Sequence, residues 1–255
     1  MATLEEWTLP LNPPNPNALY LQYLTPEQNG RLFYTKYILD IIGELNIRRE
    51  GDNVREWVVP SSLHNSACSQ GDPIGIVYGP ENQVWFAMES GHCLVEFDPD
   101  KDLFKAYGGN SSTRFPIRWP RHLMSDKHGN VWYTGAGSQG ALIGMLNADR
   151  RSVVYWDLER IFITPEGIWV DSDGKGVWFT PINHNYGLTG AYLAHLDTSE
   201  NMLTYWMWPS PGRNPRNPGV VGEPATQPEN IWFTYSGFGG PSSRVYRLNI
   251  RSDTF

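Results

Sequence analysis

The side chains best suited to acid–base chemistry in this 255-residue chain lie at matching points of a repeated pattern. Arg121 and Glu166 each directly follow a proline, His122 adjoins Arg121, and Glu223 lies near the corresponding point further along. A guanidinium that faces a carboxylate could bind an acidic group of a substrate while the carboxylate acts as a general base. Arg121 and Glu166 could equally form a structural ion pair, and both interpretations stay open here.

The same four side chains allow further arrangements. Glu166 and Glu223 would together suit the acid and the base of a glycoside-cleaving site. Because successive side chains of a β-strand point to opposite faces, we expect Arg121 and His122 to face apart. At most one of them would then point into a given channel or interface.

Loops and strand ends carry the remaining candidates. Lys36 and Tyr235 directly follow two copies of an aromatic segment, while Asn183 and His184 lie in the longest loop after such a segment. His184 could contact a polar ligand or act as a weak metal ligand. We take as candidate catalytic residues Glu166, Arg121 and Tyr235, and as candidate substrate-binding residues His122, His184, Asn183, Glu223 and Lys36.

An aromatic repeat supplies the frame that must position these side chains. Five copies of a Trp-Phe-like segment are spaced 46 to 54 residues apart, at 32–35, 84–87, 131–134, 177–180 and 231–234. A period of this length is typical of a structural unit that must stack on copies of itself to bury its apolar face.

A second aromatic repeat, at positions 7, 57, 107, 156 and 206, runs in phase with the first. We therefore predict an all-β chain, 1–255, folded as a single five-bladed β-propeller with blades at about 11–60, 61–109, 110–160, 161–210 and 211–255. Residues 3–10 precede their own repeat and are predicted to close the ring as the outer strand of the last blade. Six or seven blades with degenerate repeats are the alternative.

Composition limits the classes of function. The net charge of −7 and the pI of about 5.4 argue against a nucleic-acid-binding protein, which needs a clustered basic surface. No apolar run is long enough to suggest a membrane span. Residues 1–6 lack the basic and apolar regions of a signal peptide, so the sequence predicts a cytoplasmic protein. The oligomeric state stays open.

Two smaller features have simple interpretations. Cys68 and Cys93 are the only cysteines, too few for a disulfide framework, and the sequence favours two free thiols over a bridge. The Asp-Ser-Asp-Gly run at 171–174 lacks the downstream glutamate of a calcium loop. It is predicted to be a turn between two strands.

The blade pattern resembles the virginiamycin B lyase, or streptogramin lyase, family. The motif Pro-x-Gly-Ile, Asp-Gly, Val-Trp-Phe-Thr and Leu-Asp occurs at 165–168, 173–174, 177–180 and 196–197, and part of it recurs at 73–76 and 84–86. The resemblance implies a seven-bladed propeller that opens a cyclic depsipeptide by elimination across an ester linkage, with a magnesium ion. It also implies a histidine at the start of an inner strand and a glutamate directly after Trp-Phe-Thr.

This chain has other residues at those motif positions. The inner-strand starts hold Ile74, Arg121, Glu166 and Val221, with Asn17 assigned to the first blade. The positions after the aromatic segment hold Lys36, Met88, Gly135, Pro181 and Tyr235.

The predicted function is a small-molecule site in the central funnel with lyase or hydrolase chemistry. A non-catalytic binding propeller, of the lectin or scaffold kind, is the alternative. A lectin-like propeller would repeat its polar site residues in every blade, whereas the inner-strand positions here differ from one another. That asymmetry favours one unique site.

Overall fold

The structure is a computed structural model, and it describes residues 9–10, 21–49, 53–64, 68, 71–109, 117–136, 140–150, 152–158, 163–183, 191–208, 215–216, 230–237 and 243–250. In this part of the chain the strands form antiparallel sheets, four of them four-stranded and one three-stranded. The predicted all-β fold is confirmed.

The strands of the first three sheets follow one another along the chain. The first sheet contains β1 (Leu21–Leu24), β2 (Arg31–Lys36), β3 (Ile41–Asn46) and β4 (Val54–Val58). The second contains β5 (Pro73–Tyr78), β6 (Val84–Met88), β7 (Cys93–Asp98) and β8 (Leu103–Gly108). The third contains β9 (Pro120–Ser125), β10 (Val131–Gly135), β11 (Leu142–Leu146) and β12 (Val153–Asp157).

The fourth sheet contains β13 (Ile163–Val170), β14 (Gly176–Asn183), β15 (Ala191–Asp197) and β16 (Met202–Trp208). The fifth contains β17 (Pro215–Arg216), β18 (Asn230–Gly237) and β19 (Ser243–Asn249). A one-turn helix, α1 (Ser61–His64), and two short 3-10 turns (Tyr37–Leu39 and Pro80–Asn82) complete the described elements. No described helix is long and apolar enough to span a membrane.

Burial along each sheet explains the aromatic repeat. The second strands β6 and β10 are buried at every position, because sheets pack against both of their faces. The outer strands β4 and β12 alternate between half-buried and exposed side chains. A strand covered on both faces selects a continuous run of aromatic and β-branched residues. The Trp-Phe-like segments are therefore the centres of the sheets.

The sheets are arranged around their first strands. Strands β1, β5, β9 and β13 lie side by side in chain order, and β14 contacts β17 of the fifth sheet. This places the first strands innermost, as in a β-propeller. Five blades and closure of the ring by residues 3–10 stay predictions, since residues 1–8 lie outside the described part of the chain.

In the third and fourth sheets, an aspartate holds the turn between the first and second strands. Asp126 accepts backbone hydrogen bonds from His128 at 2.9 Å and Asn130 at 3.0 Å, and its second oxygen accepts from Nε1 of Trp132 at 2.8 Å. In the fourth sheet Asp171 accepts from Nε1 of Trp178 at 2.9 Å. The run at 171–174 is therefore a turn tied to the aromatic repeat, as the sequence predicted.

Cys68 and Cys93 form a disulfide, so the prediction of two free thiols is wrong. Both are fully buried, with their Cα atoms 5.6 Å apart. Cys93 begins β7, and Cys68 lies in the link between the first and second sheets, where its N–H donates to the carbonyl of Leu63 at 3.0 Å. Helix α1 thus folds the link back onto the second sheet, a contact that the spacing of the cysteines does not reveal.

We predict that reducing this disulfide lowers the free energy of unfolding by about 3 kcal/mol, because the bridge closes a 25-residue stretch in the unfolded chain. Urea unfolding with and without reductant measures the loss. Alkylation of the unreduced, denatured protein is the control, since it should label neither cysteine. Labelling of both would show that the thiols are free.

Candidate functional site

A β-bulge recurs at the start of the innermost strand in four sheets. In the third sheet Pro120 pairs with Gly135 and Leu123 with Tyr133, so Arg121 and His122 together oppose the single residue Thr134. The other three sheets each have the same register, with two residues of the first strand opposite one residue of the second strand. The two residues are Gln22–Tyr23, Ile74–Gly75 and Glu166–Gly167. A bulge of this kind re-aims side chains locally.

The bulge brings Arg121 and His122 to the same carboxylate, and the prediction that they face apart is wrong. Arg121 Nη1 lies 2.9 Å from Oε1 of Glu166, and His122 Nε2 lies 2.5 Å from its Oε2. Strand alternation assumes a regular ladder, which the bulge interrupts at this point. The N–H of His122 donates instead to the Thr134 hydroxyl at 3.1 Å.

Glu166 is the most enclosed member of this group. Only 3% of its side chain is exposed, against 13% for His122 and 29% for Arg121. An ionised carboxylate only accepts hydrogen bonds, so Nε2 of His122 carries the proton in this contact. When the ring is neutral, its lone pair then lies on Nδ1, for which the described residues provide no hydrogen-bond partner.

Tyr23 of the first sheet reaches the same histidine across the second sheet. Its hydroxyl oxygen lies 3.0 Å from Nε2 of His122, and the two rings meet edge to face with centroids 4.9 Å apart. Gly75 lies between their strands, and a Cβ there would come within 2.0 Å of the Arg121 carbonyl oxygen. The absence of a side chain at Gly75 allows this close approach.

Glu89 completes the group from the second sheet. It follows β6, and its Oε1 lies 3.4 Å from Nε of Arg121, within ion-pairing distance but without hydrogen-bond geometry. Nearby, the Ser90 hydroxyl donates to Asp72 at 2.7 Å. One guanidinium therefore bridges carboxylates from the second and fourth sheets.

Burial and mutual charge shift the proton affinities in the cluster. Burial raises the pKa of Glu89; the Arg121 guanidinium opposes this, and the carboxylates of Glu166 and Asp72 add to it. Burial, with the nearby Glu166 carboxylate, raises the pKa of Tyr23 to about 12. Glu89 is thus a carboxyl group that holds its proton to higher pH than an exposed glutamate.

Lys36 lies at the end of β2, and only 1% of its side chain is exposed. Its ammonium is 2.5 Å from Oε1 of Glu56 and donates to the carbonyl of Pro10 at 2.9 Å. The Tyr34 hydroxyl donates to the same Glu56 oxygen at 2.6 Å. These partners lie within the first sheet and the segment that precedes it, so Lys36 is held by a structural network.

The other candidates from the sequence either lie on strands β14 and β18 or fall outside the described residues. Tyr235 is on β18, in register with Arg244, and Asn183 is the last residue of β14. His184 and Glu223 lie outside the described residues, as does Asn17. By its register, Gln22 holds the first-sheet position that the sequence assigned to Asn17.

Comparisons with solved structures give one consistent answer about the fold. The chain is 18% identical to a catalytically inactive virginiamycin B lyase from Staphylococcus aureus with quinupristin, at a TM-score of 0.65, covering 93% of this chain and 72% of that one. It is 15% identical to a streptogramin B lyase, at a TM-score of 0.55, covering 92% and 80%. The fold is that of a streptogramin-lyase-like β-propeller.

A structure of a protein complex also matches this chain. A structure of a nidogen–laminin complex matches at 12% identity and a TM-score of 0.64, covering 93% of this chain and 78% of that one. No protein-family model and no curated protein matches the chain. Identities this low establish the fold and leave the function to the site.

The magnesium ion that the lyase resemblance implies does not fit this cluster. Among the described residues no three histidine, cysteine, aspartate or glutamate side chains lie close enough to hold a metal ion. The two carboxylates that would be the natural oxygen ligands, Glu89 and Glu166, are instead bridged by Arg121. We therefore derive no chemistry through a metal.

A cleft lined by described residues lies elsewhere. It has a volume of about 450 Å³ and lies at the opposite end of the strands, between turns of the second and third sheets. Its walls include Glu96, Lys105, Lys127 and Arg150. Glu96 is already engaged there by the Tyr107 hydroxyl at 2.7 Å, so the cleft offers no pair comparable with His122 and Glu166.

The sequence missed Tyr23 and Glu89 as members of the site. Tyr23 belongs to the first repeat, whose inner strand lacks the proline that precedes Ile74, Arg121 and Glu166 in the next three. Glu89 comes directly after Met88, the residue that follows the aromatic segment of the second repeat. The signal available for Glu89 was its place immediately after a buried strand.

We predict that Glu89 makes stability fall with rising pH. Because its folded-state pKa is raised above 4.5, the folded state binds more protons than the unfolded state between those two values. Stability is therefore greatest below about 4.5 and declines as the pH rises through the folded pKa. Urea unfolding across the acidic range should show a shallower decline for Glu89→Gln.

The control for this experiment is Glu81→Gln, which alters an exposed side chain in a turn. Its stability curve should run parallel to that of the unchanged protein. A Glu89→Gln curve that is also parallel would contradict the prediction.

Proposed function

We propose that this protein is an enzyme of the lyase or hydrolase class that acts on a small molecule at the inner ends of its sheets. His122 is the general acid–base residue, and Glu166 is the residue that positions it. The single observation that carries this proposal is the 2.5 Å contact between His122 and a carboxylate that is almost fully buried.

The contact suits His122 to accept a proton. Glu166 accepts a hydrogen bond from the Nε2–H group of His122, and the lone pair on Nδ1 is then the basic position of the ring. When Nδ1 takes a proton, the ring becomes an imidazolium that Glu166 stabilises at hydrogen-bond distance. A carboxylate that orients a histidine in this way is a recurring element of acid–base catalysis.

Two reactions follow from the same proton transfer. In an elimination, Nδ1 removes a proton from carbon, the electron pair forms a carbon–carbon double bond, and the leaving oxygen departs with the bonding pair. In a hydrolysis, Nδ1 removes a proton from water as the water oxygen adds to a carbonyl carbon. The tetrahedral adduct then re-forms the carbonyl and expels the leaving oxygen, which takes the proton from the imidazolium. The likeness to a lyase whose catalytically inactive variant replaces a histidine by alanine supports elimination as the first reaction to test.

A non-catalytic binding propeller is the competing function, and the nidogen–laminin match shows that the fold also occurs in protein assemblies. Repeated ligand sites would need similar residues at equivalent positions. The four bulges instead carry the pairs Gln22–Tyr23, Ile74–Gly75, Arg121–His122 and Glu166–Gly167. This asymmetry favours one unique site.

The proposed ring has five blades, closed by residues 3–10. The fifth sheet has three described strands where each of the others has four, which leaves an outer position for this segment. The Pro10 carbonyl, at the end of the segment, accepts from Lys36 at 2.9 Å. Six or seven blades are the competing arrangement.

The disulfide gives information about the cellular compartment of the protein. Cys68 and Cys93 are paired and fully buried, and such bonds persist mainly in oxidising compartments. We propose such a compartment in place of the cytoplasm that the sequence predicted.

Deleting residues 1–10 is expected to lower the thermal midpoint, because the fifth sheet would lose its outer strand and Lys36 its Pro10 partner. Differential scanning calorimetry of the shortened and the full chain measures the change. Lys36→Met in the full chain is the comparison that isolates the lysine contact. An unchanged midpoint in the shortened chain would rule out closure by this segment.

We predict that His122→Ala lowers kcat/KM by about 10²–10⁴-fold, the usual contribution of a positioned acid–base group. Quinupristin, followed by a panel of cyclic and linear esters, provides the substrates, with products read by mass spectrometry. Ring opening by elimination leaves the mass unchanged, whereas hydrolysis adds one water.

The matched control is His128→Ala, an exposed histidine in a turn at the opposite end of the strands. It should retain full activity. Turnover by His122→Ala at the rate of the unchanged protein would remove His122 from the mechanism, whatever the substrate.

A further inference from the structure

We propose that the Arg121 guanidinium is the built-in cation of this site, and that it takes the place of a divalent metal ion. The inference rests on the proposed function for its chemical meaning. Its test, however, measures metal binding and does not depend on turnover.

The first argument is the position of Arg121. Its Nη1 lies 2.9 Å from Glu166 and its Nε 3.4 Å from Glu89, so one cation joins carboxylates from two different sheets. Two carboxylates that converge on one point are a usual way to bind a divalent cation through oxygen. Here a guanidinium, which stays protonated at any ordinary pH, occupies that point.

The second argument is the balance of charge. Glu89 lies within electrostatic range of Arg121, Glu166 and Asp72. These groups are three carboxyls and one permanent cation, and His122 adds a second positive charge only when it is protonated. A buried carboxylate needs a counter-charge, and for Glu166 the guanidinium supplies one. Removing that guanidinium would leave the two carboxylates that it bridges, Glu89 and Glu166, without their cation, and one or two carboxylates can hold a divalent ion that keeps its other waters.

The third argument is that Arg121 has a hydrogen-bond donor that the described residues do not use. The described residues provide no hydrogen-bond partner for its Nη2, and 29% of the side chain is exposed. In either proposed reaction, negative charge develops on an oxygen of the substrate. An N–H donor at Nη2 can stabilise that oxygen, which is the role that a metal ion has as a Lewis acid in other enzymes.

The test is a titration with Mn²⁺, followed by electron paramagnetic resonance and calorimetry, on the folded full-length protein. We expect no Mn²⁺ site at millimolar concentration in the unchanged protein. Arg121→Ala, which keeps Glu89 and Glu166, should gain one site that binds at least an order of magnitude more tightly than anything in the unchanged protein. Arg121→Lys keeps a cation and should gain no site.

The double variant Arg121→Ala/Glu89→Gln locates the new metal site. It should lose the Mn²⁺ that Arg121→Ala binds, because one of the two carboxylates is gone. The Arg121→Ala variant could be too unstable for titration in the absence of metal. Its thermal midpoint should then rise with Mn²⁺ concentration, since a ligand that binds only the folded state stabilises it. The midpoint of the unchanged protein should not move.

Two outcomes would overturn the proposal. One is a Mn²⁺ ion in the unchanged protein that broadens the NMR signals of the His122 ring. The other is an Arg121→Ala variant that folds but neither binds Mn²⁺ nor is stabilised by it. Neither outcome bears on whether His122 is catalytic, which the activity of His122→Ala decides separately.

Discussion

The buried carboxylate of Glu166 is the constraint on which the site depends. A charge with 3% of its side chain exposed is costly unless strong donors replace the water that it has lost. Both donors, Arg121 and His122, come from the neighbouring sheet. The interaction therefore fixes the third sheet against the fourth at the inner ends of their strands, and it orders the histidine at the same time.

The recurring β-bulge makes this arrangement possible. At each bulge two adjacent residues oppose a single partner, so both can serve the interior of the molecule. The fold provides the same geometry four times, and the residue types decide what each copy does. Where the pair ends in glycine, as at Gly75, the backbone of the next sheet approaches closely. Where it is Arg121 and His122, the same geometry produces a chemical site.

The sequence predicted the frame better than the site. Its two aromatic repeats placed the strands of each sheet, because a strand covered on both faces needs a continuous apolar run. It also identified Arg121 and Glu166, which begin inner strands after proline. It wrongly predicted that Arg121 and His122 face apart, because a bulge leaves no periodic signal in the order of residues. The Cys68–Cys93 bridge was missed for a related reason, since the folding of a link decides which buried thiols meet.

Two buried ion pairs in this molecule show why only one of them can have a chemical role. The Lys36 ammonium is 1% exposed and is bound by Glu56 and the Pro10 carbonyl, so it has little means of contacting a ligand. Arg121 also neutralises buried carboxylate, yet its side chain is 29% exposed and retains donors that no described residue uses. A buried pair stabilises a site, but only a cation with spare donors and access to solvent can also respond to charge that develops on a bound molecule. By that criterion Arg121 belongs to the functional site, and Lys36 belongs to the framework.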